Sequence, residues 1–314
     1  MEIVFLERGA VGEDIDLSAF EELGHVTVYN STTPEQVPER AKDADILVVN
    51  RLLMNEESLG RAEKLKLITV TATGTDMIDW EYVNGRGIKV ANVKGYSTDA
   101  VAQHTMAMAL SLIQRLEYYK DYVKSGAYCR EGGLYEFDRS LFELQGKTWG
   151  ILGLGAIGRR VAELASCFGC RIIYASASGK NTDQPYELVS MEELFKRSDI
   201  LSVHAPLNEY TRELLDEKAF RQMKKDSIFL NLGRGAIISE KALAWALKTG
   251  EIRAAGLDVL AAEPMAADSP LLPLLGKENL LITPHIAWTP VETRQRVMEQ
   301  IYGEIKTFLS EKFP

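Results

Sequence analysis

A chain of 314 residues exceeds what one hydrophobic core usually spans, and 46% hydrophobic with 26% charged residues is an ordinary globular balance, which excludes a disordered, fibrous or disulfide-scaffold protein. The formal net charge of -9, with no Lys or Arg cluster longer than a pair, repels phosphate backbones, so no nucleic-acid partner is expected. Three cysteines fit a reducing compartment, the opening Met1-Glu2-Ile3-Val4-Phe5-Leu6 reads as a strand and not a signal peptide, and no apolar run reaches the ~18 residues of a membrane helix, so a cytoplasmic location away from membranes is expected.

Strand-like and helix-like segments then alternate along the chain, the pattern of helices covering parallel sheets, and predict an α/β fold. Candidate strands occupy residues 3–5, 25–29, 46–50, 66–71 and 89–92. A helix-compatible stretch from residue 98 to about 124, with Asp99 in its first turn, is expected to cross between two domains. Residues 126–144 carry Tyr128, Tyr135, Phe137 and Phe142 without a clear period and read as an interface arm or a surface loop. Strands resume at 148–153, 171–174, 200–204, 227–232, 254–259 and 280–283, and an amphipathic helix over 290–309 can return to the first domain. Asp45-Ile46-Leu47-Val48-Val49 is echoed by Asp199-Ile200-Leu201-Ser202-Val203, as two domains of related design would produce. Cys167 and Cys170 form one CxxC; with no second ligand pair nearby, it reads as a helix end capped by Gly169, and no metal site is expected.

The strongest local signal is Gly153-Leu154-Gly155-Ala156-Ile157-Gly158, placed after a strand and opening a helix. Gly153 permits the turn, Gly155 admits a pyrophosphate close to the backbone, Gly158 lets helix and strand touch, and the helix N-terminus at Ala156 and Ile157 attracts phosphate. The acid expected about 20 residues on, which would bind the adenosine ribose, is missing at the Ala175 position. Ser176, Ser178 and Lys180 stand there instead and could bind a 2′-phosphate, although no Arg accompanies them, so NAD and NADP remain equal alternatives. Three further residues follow the ends of successive strands: Arg234 between two glycines, Glu263 before Pro264, and His285 after Pro284. An Arg can grip a carboxylate and polarise a keto oxygen, a His can exchange a proton with that oxygen, and a Glu can orient the imidazole and favour its protonated form.

The ordered set of that glycine motif, His204-Ala205-Pro206-Leu207, Asn231-Leu232-Gly233-Arg234-Gly235, Gly256-Leu257-Asp258-Val259, Glu263-Pro264 and Thr283-Pro284-His285-Ile286 resembles the D-isomer-specific 2-hydroxyacid dehydrogenase family over nearly the whole chain. The resemblance implies that Arg234, Glu263 and His285 are catalytic, with Arg234 also binding the substrate carboxylate. It implies that Thr105, His204, Pro206 and Thr211 line the cofactor, that Asp258 lies near the nicotinamide, and that Thr73 and Gly74 offer backbone N–H groups to substrate. It further implies two doubly wound, Rossmann-like parallel-sheet domains with a cleft between them: residues 1–98 with 289–314 for substrate, 99–288 for the dinucleotide. A homodimer built through the cofactor domain is implied as well. Thr71-Ala72-Thr73-Gly74-Thr75-Asp76, Asn92-Val93-Lys94-Gly95-Tyr96-Ser97-Thr98 and Pro284-His285-Ile286-Ala287-Trp288 look most like the glycerate dehydrogenase or hydroxypyruvate reductase branch, acting on a small 2-keto or 2-hydroxy acid. Trp288 either walls the substrate pocket or packs at the domain hinge, and Arg51, Leu52 and Leu53 are expected to shape specificity.

The alternative from another class is a cofactor-sensing corepressor-like protein; those carry appended disordered tails, and this chain is expected to lack one because it stops soon after its last helix. His104 and His25 have no motif support and read as structural or surface residues.

Overall fold

The computed structural model describes residues 1–130, 135, 137 and 139–312; of the aromatic segment over 126–144, residues 131–134, 136 and 138 lie outside the described residues. Two compact units form, Met1–Ser97 with Trp288–Pro314 and, inserted between these pieces, Thr98–Ala287.

The first unit holds strands β1 (Glu2–Phe5), β2 (His25–Val28), β3 (Ile46–Val49), β4 (Leu67–Val70) and β5 (Lys89–Asn92), paired in parallel in the order β2-β1-β3-β4-β5. Every residue of β3 and β4 is buried, as strands covered on both faces must be. The C-terminal helix Val291–Lys312 places Val297, Met298, Ile301, Ile305 and Phe308 in one core with Ile3, Phe5, Phe20 and Leu67, and these helix positions recur every three or four residues.

The second unit holds β6 (Thr148–Leu152), β7 (Arg171–Ala175), β8 (Glu187–Leu188), β9 (Ile200–Val203), β10 (Ile228–Asn231), β11 (Ala254–Leu257) and β12 (Leu280–Ile282), in the order β12-β11-β10-β9-β6-β7-β8. All of these pairs are parallel. Each strand expected from the sequence is present within a residue or two of its expected ends. The exception is β8, two exposed residues with no apolar run to announce them.

The echo around Asp45 and Asp199 is repeated in the hydrogen bonding. Asp45, just before β3, accepts from the backbone N–H of Glu2 at the start of β1 (2.9 Å) and pairs with Lys66 just before β4 (2.8 Å). Asp199, just before β9, accepts from Thr148 at the start of β6 (2.8 Å) and pairs with Lys224 at 2.8 Å. Partial burial disfavours both carboxylates, yet their lysine and backbone partners outweigh it and hold both below the usual carboxylate range.

The stretch expected as one helix over 98–124 is two helices, Thr98–Ile113 and Leu116–Lys124, broken at Arg115, whose φ is +48°. The first buries Val101, Thr105, Met108 and Leu112, whereas the second buries nothing, so one continuous axis cannot serve both. The break brings Arg115 to 3.2 Å from the Glu278 carboxylate. At the CxxC, the helix Ala156–Cys167 ends and Gly169 follows at φ +78°. Burial, with the Asp199 charge adding to it, pushes the Cys170 thiol up to about 11, so it is an inert core group at neutral pH.

Trp149 is 0% exposed, and its indole Nε1 donates to Ser202 Oγ at 2.9 Å. Ser202→Ala strands that donor in the core and is expected to cost about 1–3 kcal/mol, read as a lower Tm for the second unit in calorimetry; an unchanged Tm would mean the indole finds another acceptor.

Candidate active site

In an open parallel sheet, ligands gather beyond the strand C-termini at the point where strand order reverses, which in the second unit lies between β6 and β9. Gly153, at the end of β6, has φ +92°, and a Cβ there would lie 2.6 Å from Ala205 N, so the chain after β9 packs directly on this turn. A Cβ on Gly158 would lie 2.3 Å from Gly153 O, so only glycine lets the helix Ala156–Cys167 sit this close to the strand. Around Gly155 a Cβ would meet nothing within 4 Å. That open space faces the start of a helix whose N-cap, Gly155, makes no side-chain cap, whereas Ser190, Asp216 and Ser239 cap the helices beginning at Met191, Glu217 and Glu240. Uncapped first-turn N–H groups beside open space suit a diphosphate, so the residues present fit a dinucleotide.

Beyond β10, β11 and β12 the three expected reactive residues stand on interlocked loops. Asn231 accepts from Gly233 N (3.1 Å) and donates to Arg234 O (3.0 Å), setting the turn that carries Arg234. A Cβ on Gly235 would fall 1.9 Å from the Leu260 carbonyl carbon, so this turn presses against the loop that leads to Glu263. Glu263 in turn spreads its carboxylate between Leu260 N (3.1 Å) and His285 Nδ1 (2.7 Å).

His285 sits at φ +56°, a strained left-handed conformation for a non-glycine residue. The strain is held by Asp258, which is 2% exposed. Its carboxylate accepts from Thr283 Oγ1 (2.6 Å), Ile286 N (2.9 Å) and Ala287 N (3.0 Å), and its carbonyl accepts from His285 N at 2.9 Å. His104, which the sequence left without a role, belongs to the same cluster: its Nε2 lies 3.1 Å from Thr283 Oγ1 and 3.6 Å from Asp258. Burial lowers the His104 pKa, and the Asp258 charge only partly opposes this. No motif could have found His104, because strand order alone brings its helix beside β10 and β11.

The remaining expected residues divide. Ala156, Pro206 and the partly exposed Ser176 stand at the same sheet edge. Thr105 and Thr211 are buried with their hydroxyls on backbone carbonyls: Thr105 is 0% exposed and donates to Val101 O (2.8 Å), and Thr211 is 1% exposed and donates to Pro206 O (2.7 Å). A hydroxyl that deep satisfies a nearby carbonyl, and here each closes a turn of its own backbone. Asp258 likewise has both carboxylate oxygens engaged by its own chain. Thr73, Gly74 and Trp288 belong to the first unit, where Thr73 is exposed after β4 and Trp288 meets Tyr96 edge to face at 6.3 Å. Near the expected specificity residues, Glu7 accepts from the backbone N–H groups of Asn50 (2.6 Å), Arg51 (2.9 Å) and Leu52 (3.3 Å). The strand-order reversal of the first sheet, between β1 and β3, is thus occupied by the chain's own carboxylate.

A doubly wound sheet with an uncapped glycine turn at its switch point defines a dinucleotide-binding fold, and the Arg, Glu and His at its edge are groups suited to redox chemistry at a carbonyl. The chain belongs to the D-isomer specific 2-hydroxyacid dehydrogenase family: residues 106–287 match that family's NAD binding domain. It is 32% identical to a glycerate dehydrogenase of Methylorubrum extorquens, covering 99% of this chain and 96% of that one. It is 33% identical to a hydroxypyruvate reductase of Blautia hydrogenotrophica, covering 98% and 97%. Its fold matches D-lactate dehydrogenase from Aquifex aeolicus, solved with NAD and lactic acid, at a TM-score of 0.86 and 28% identity, over 98% of this chain and 96% of that one.

His204, just past β9, has neither ring nitrogen hydrogen-bonded or in contact with solvent, and burial pushes it down to about 3. Because this folded value is depressed below the ordinary histidine value of about 6.5, protonation favours the unfolded chain and stability falls as pH drops from that value toward 3. Between pH 7 and pH 5 the loss is expected to be on the order of 2 kcal/mol from this residue. Denaturant unfolding at both pH values should show a smaller loss for His204→Gln; equal losses would mean that His204 is solvated in solution.

Proposed function

We propose that the chain reduces a small 2-keto acid to its D-2-hydroxy acid with NADH or NADPH, with hydroxypyruvate or glyoxylate as the preferred substrate. The observation that carries this reading is the 2.7 Å contact between His285 Nδ1 and Glu263, on a loop strapped in place by buried Asp258. With Nδ1 turned to the carboxylate, proton exchange with substrate falls to Nε2. Glu263 balances the imidazolium form, which donates the proton to the keto oxygen during reduction and recovers it during oxidation. Arg234 grips the substrate carboxylate and polarises the C2 carbonyl, a geometry its planar fork suits. When bound, the nicotinamide supplies the hydride that C2 receives. The resemblance to the glycerate dehydrogenase and hydroxypyruvate reductase relatives supports a short side chain on the acid.

A cytoplasmic homodimer completes the proposal. Among the described residues no helix is long and apolar enough to cross a membrane. The segment after Arg115 exposes Leu116, Val123, Tyr128, Tyr135 and Phe137, the last at 83%, more apolar surface than a monomer's lone helix needs to show. Sedimentation velocity at micromolar concentration is expected to give a dimer for the wild type and a monomer for Val123→Asp combined with Tyr128→Asp; a wild-type monomer would refute this part.

Loss of 340 nm absorbance with hydroxypyruvate, glyoxylate, pyruvate and a bulkier 2-keto acid tests the reaction. Faster turnover with hydroxypyruvate or glyoxylate than with pyruvate or the bulkier acid is expected, and His285→Ala is expected to lower kcat by about 10²- to 10⁴-fold while cofactor still binds. An unchanged kcat in that variant would remove His285 from the acid/base role, and silence across all four acids would sink the substrate assignment.

A further inference from the structure

The loop that follows β7 carries no carboxylate where a ribose-binding acid would stand: residues 171–182 contain no Asp or Glu. Ala175 is 1% exposed and still part of the strand, so Ser176 is the first residue whose side chain reaches the loop. The loop is shaped from within the second unit. Gly179, at φ +68°, donates to Ser176 O, and Asn181 N donates to Ser176 Oγ (3.4 Å). Tyr174, otherwise buried, donates its hydroxyl to Thr182 O at 2.9 Å.

Asn181 Nδ2 also reaches across to the glycine turn, donating to Leu154 O at 2.8 Å, and Gln184 Nε2 donates to Asn181 Oδ1 at 2.8 Å. Arg159, in the first turn of the helix Ala156–Cys167, donates to the same Leu154 oxygen at 3.5 Å. A guanidinium therefore stands at the mouth of this loop, supplied by the helix and not by the loop sequence, where reading along the strand finds none. Its neighbour Arg160 is neutralised by Asp99 and Glu163. Among the described residues no carboxylate lies within ion-pair distance of Arg159 or of the exposed Lys180. The loop's one acid, Asp183, comes after the pinned Asn181 and Thr182 and is exposed.

Two uncompensated cations with two serine hydroxyls beside a ribose position match a phosphate dianion, which takes bidentate Arg and point-charge Lys contacts. We propose that Arg159, Ser176, Ser178 and Lys180 form a 2′-phosphate site, so that the chain takes NADPH in preference to NADH. This rests on the dinucleotide reading above and adds which dinucleotide.

The test is equilibrium binding of NADPH, NADH, 2′-AMP and 5′-AMP to the full chain, followed by nicotinamide fluorescence and by calorimetry for the nucleotides. The wild type is expected to bind NADPH at least about tenfold tighter than NADH, and 2′-AMP tighter than 5′-AMP. Arg159→Ala and Lys180→Ala, both changes of exposed side chains, are expected to weaken NADPH by about tenfold each and leave NADH within about twofold. Ser176→Asp is expected to reverse the preference. Equal or tighter binding of NADH by the wild type overturns the 2′-phosphate site and leaves the dinucleotide reading standing. A preference for NADPH that survives all three substitutions overturns the assignment to these residues. Failure of every nucleotide to bind overturns the dinucleotide reading itself.

Discussion

A carboxylate taken out of water must be met by donors, and Asp258 is met almost entirely by the segment that carries His285. Three hydrogen bonds to its side chain and one to its carbonyl draw residues 283–287 around it and hold His285 in a backbone conformation it would not adopt alone. The anchored segment carries the His285 imidazole to 2.7 Å from Glu263, and His104 lies against the same Thr283 hydroxyl. A backbone held this way and an imidazole bonded to Glu263 suit the proton-transfer role proposed for His285.

The two sheets share a construction and differ at the place where it becomes useful. In each, an aspartate just before the strand that crosses back beside the first one (β3 beside β1, β9 beside β6) ties the start of that first strand and pairs with a lysine ahead of the next strand, so Asp45 and Asp199 close the same seam. At the opposite edge the units part. The second sheet leaves its strand-order reversal lined by Gly153, Gly155 and an uncapped helix start. The first sheet fills the same place with Glu7, whose negative charge takes the three N–H groups of residues 50–52. An anion-binding nest already holding an internal carboxylate does not hold a phosphate, so only one of two related sheets is open to a dinucleotide at that point.

The reactive loops illustrate how glycine is used where backbone meets backbone. Gly235 lies against the Leu260 carbonyl, and Gly158 against that of Gly153. Each contact is shorter than a Cβ tolerates, so the sites bearing Arg234 and the helix N-terminus depend on residues that contribute no chemistry.

Strand positions, the glycine turn and the placing of Arg234, Glu263 and His285 just beyond successive strands were legible in the sequence, because buried parallel strands read as apolar runs and each of these residues sits one short loop beyond one. The break at Arg115 was not legible, since helix propensity is continuous there and only the loss of burial ends the first helix. The sequence equally could not show that Thr105 and Thr211 spend their hydroxyls on Val101 and Pro206, or that Ala175 lies inside the strand and Ser176 outside it. His104 and Glu7 find their partners across strand order and helix packing, far along the chain from the groups they touch, and Arg159 meets the loop after β7 only because Asn181 reaches back to the same Leu154 carbonyl. Local pattern by itself determined the class of fold and the family, and singled out Arg234, Glu263 and His285 as candidates; which groups hold them in place was decided by tertiary structure, because a buried polar atom takes whichever partner the packing brings to it.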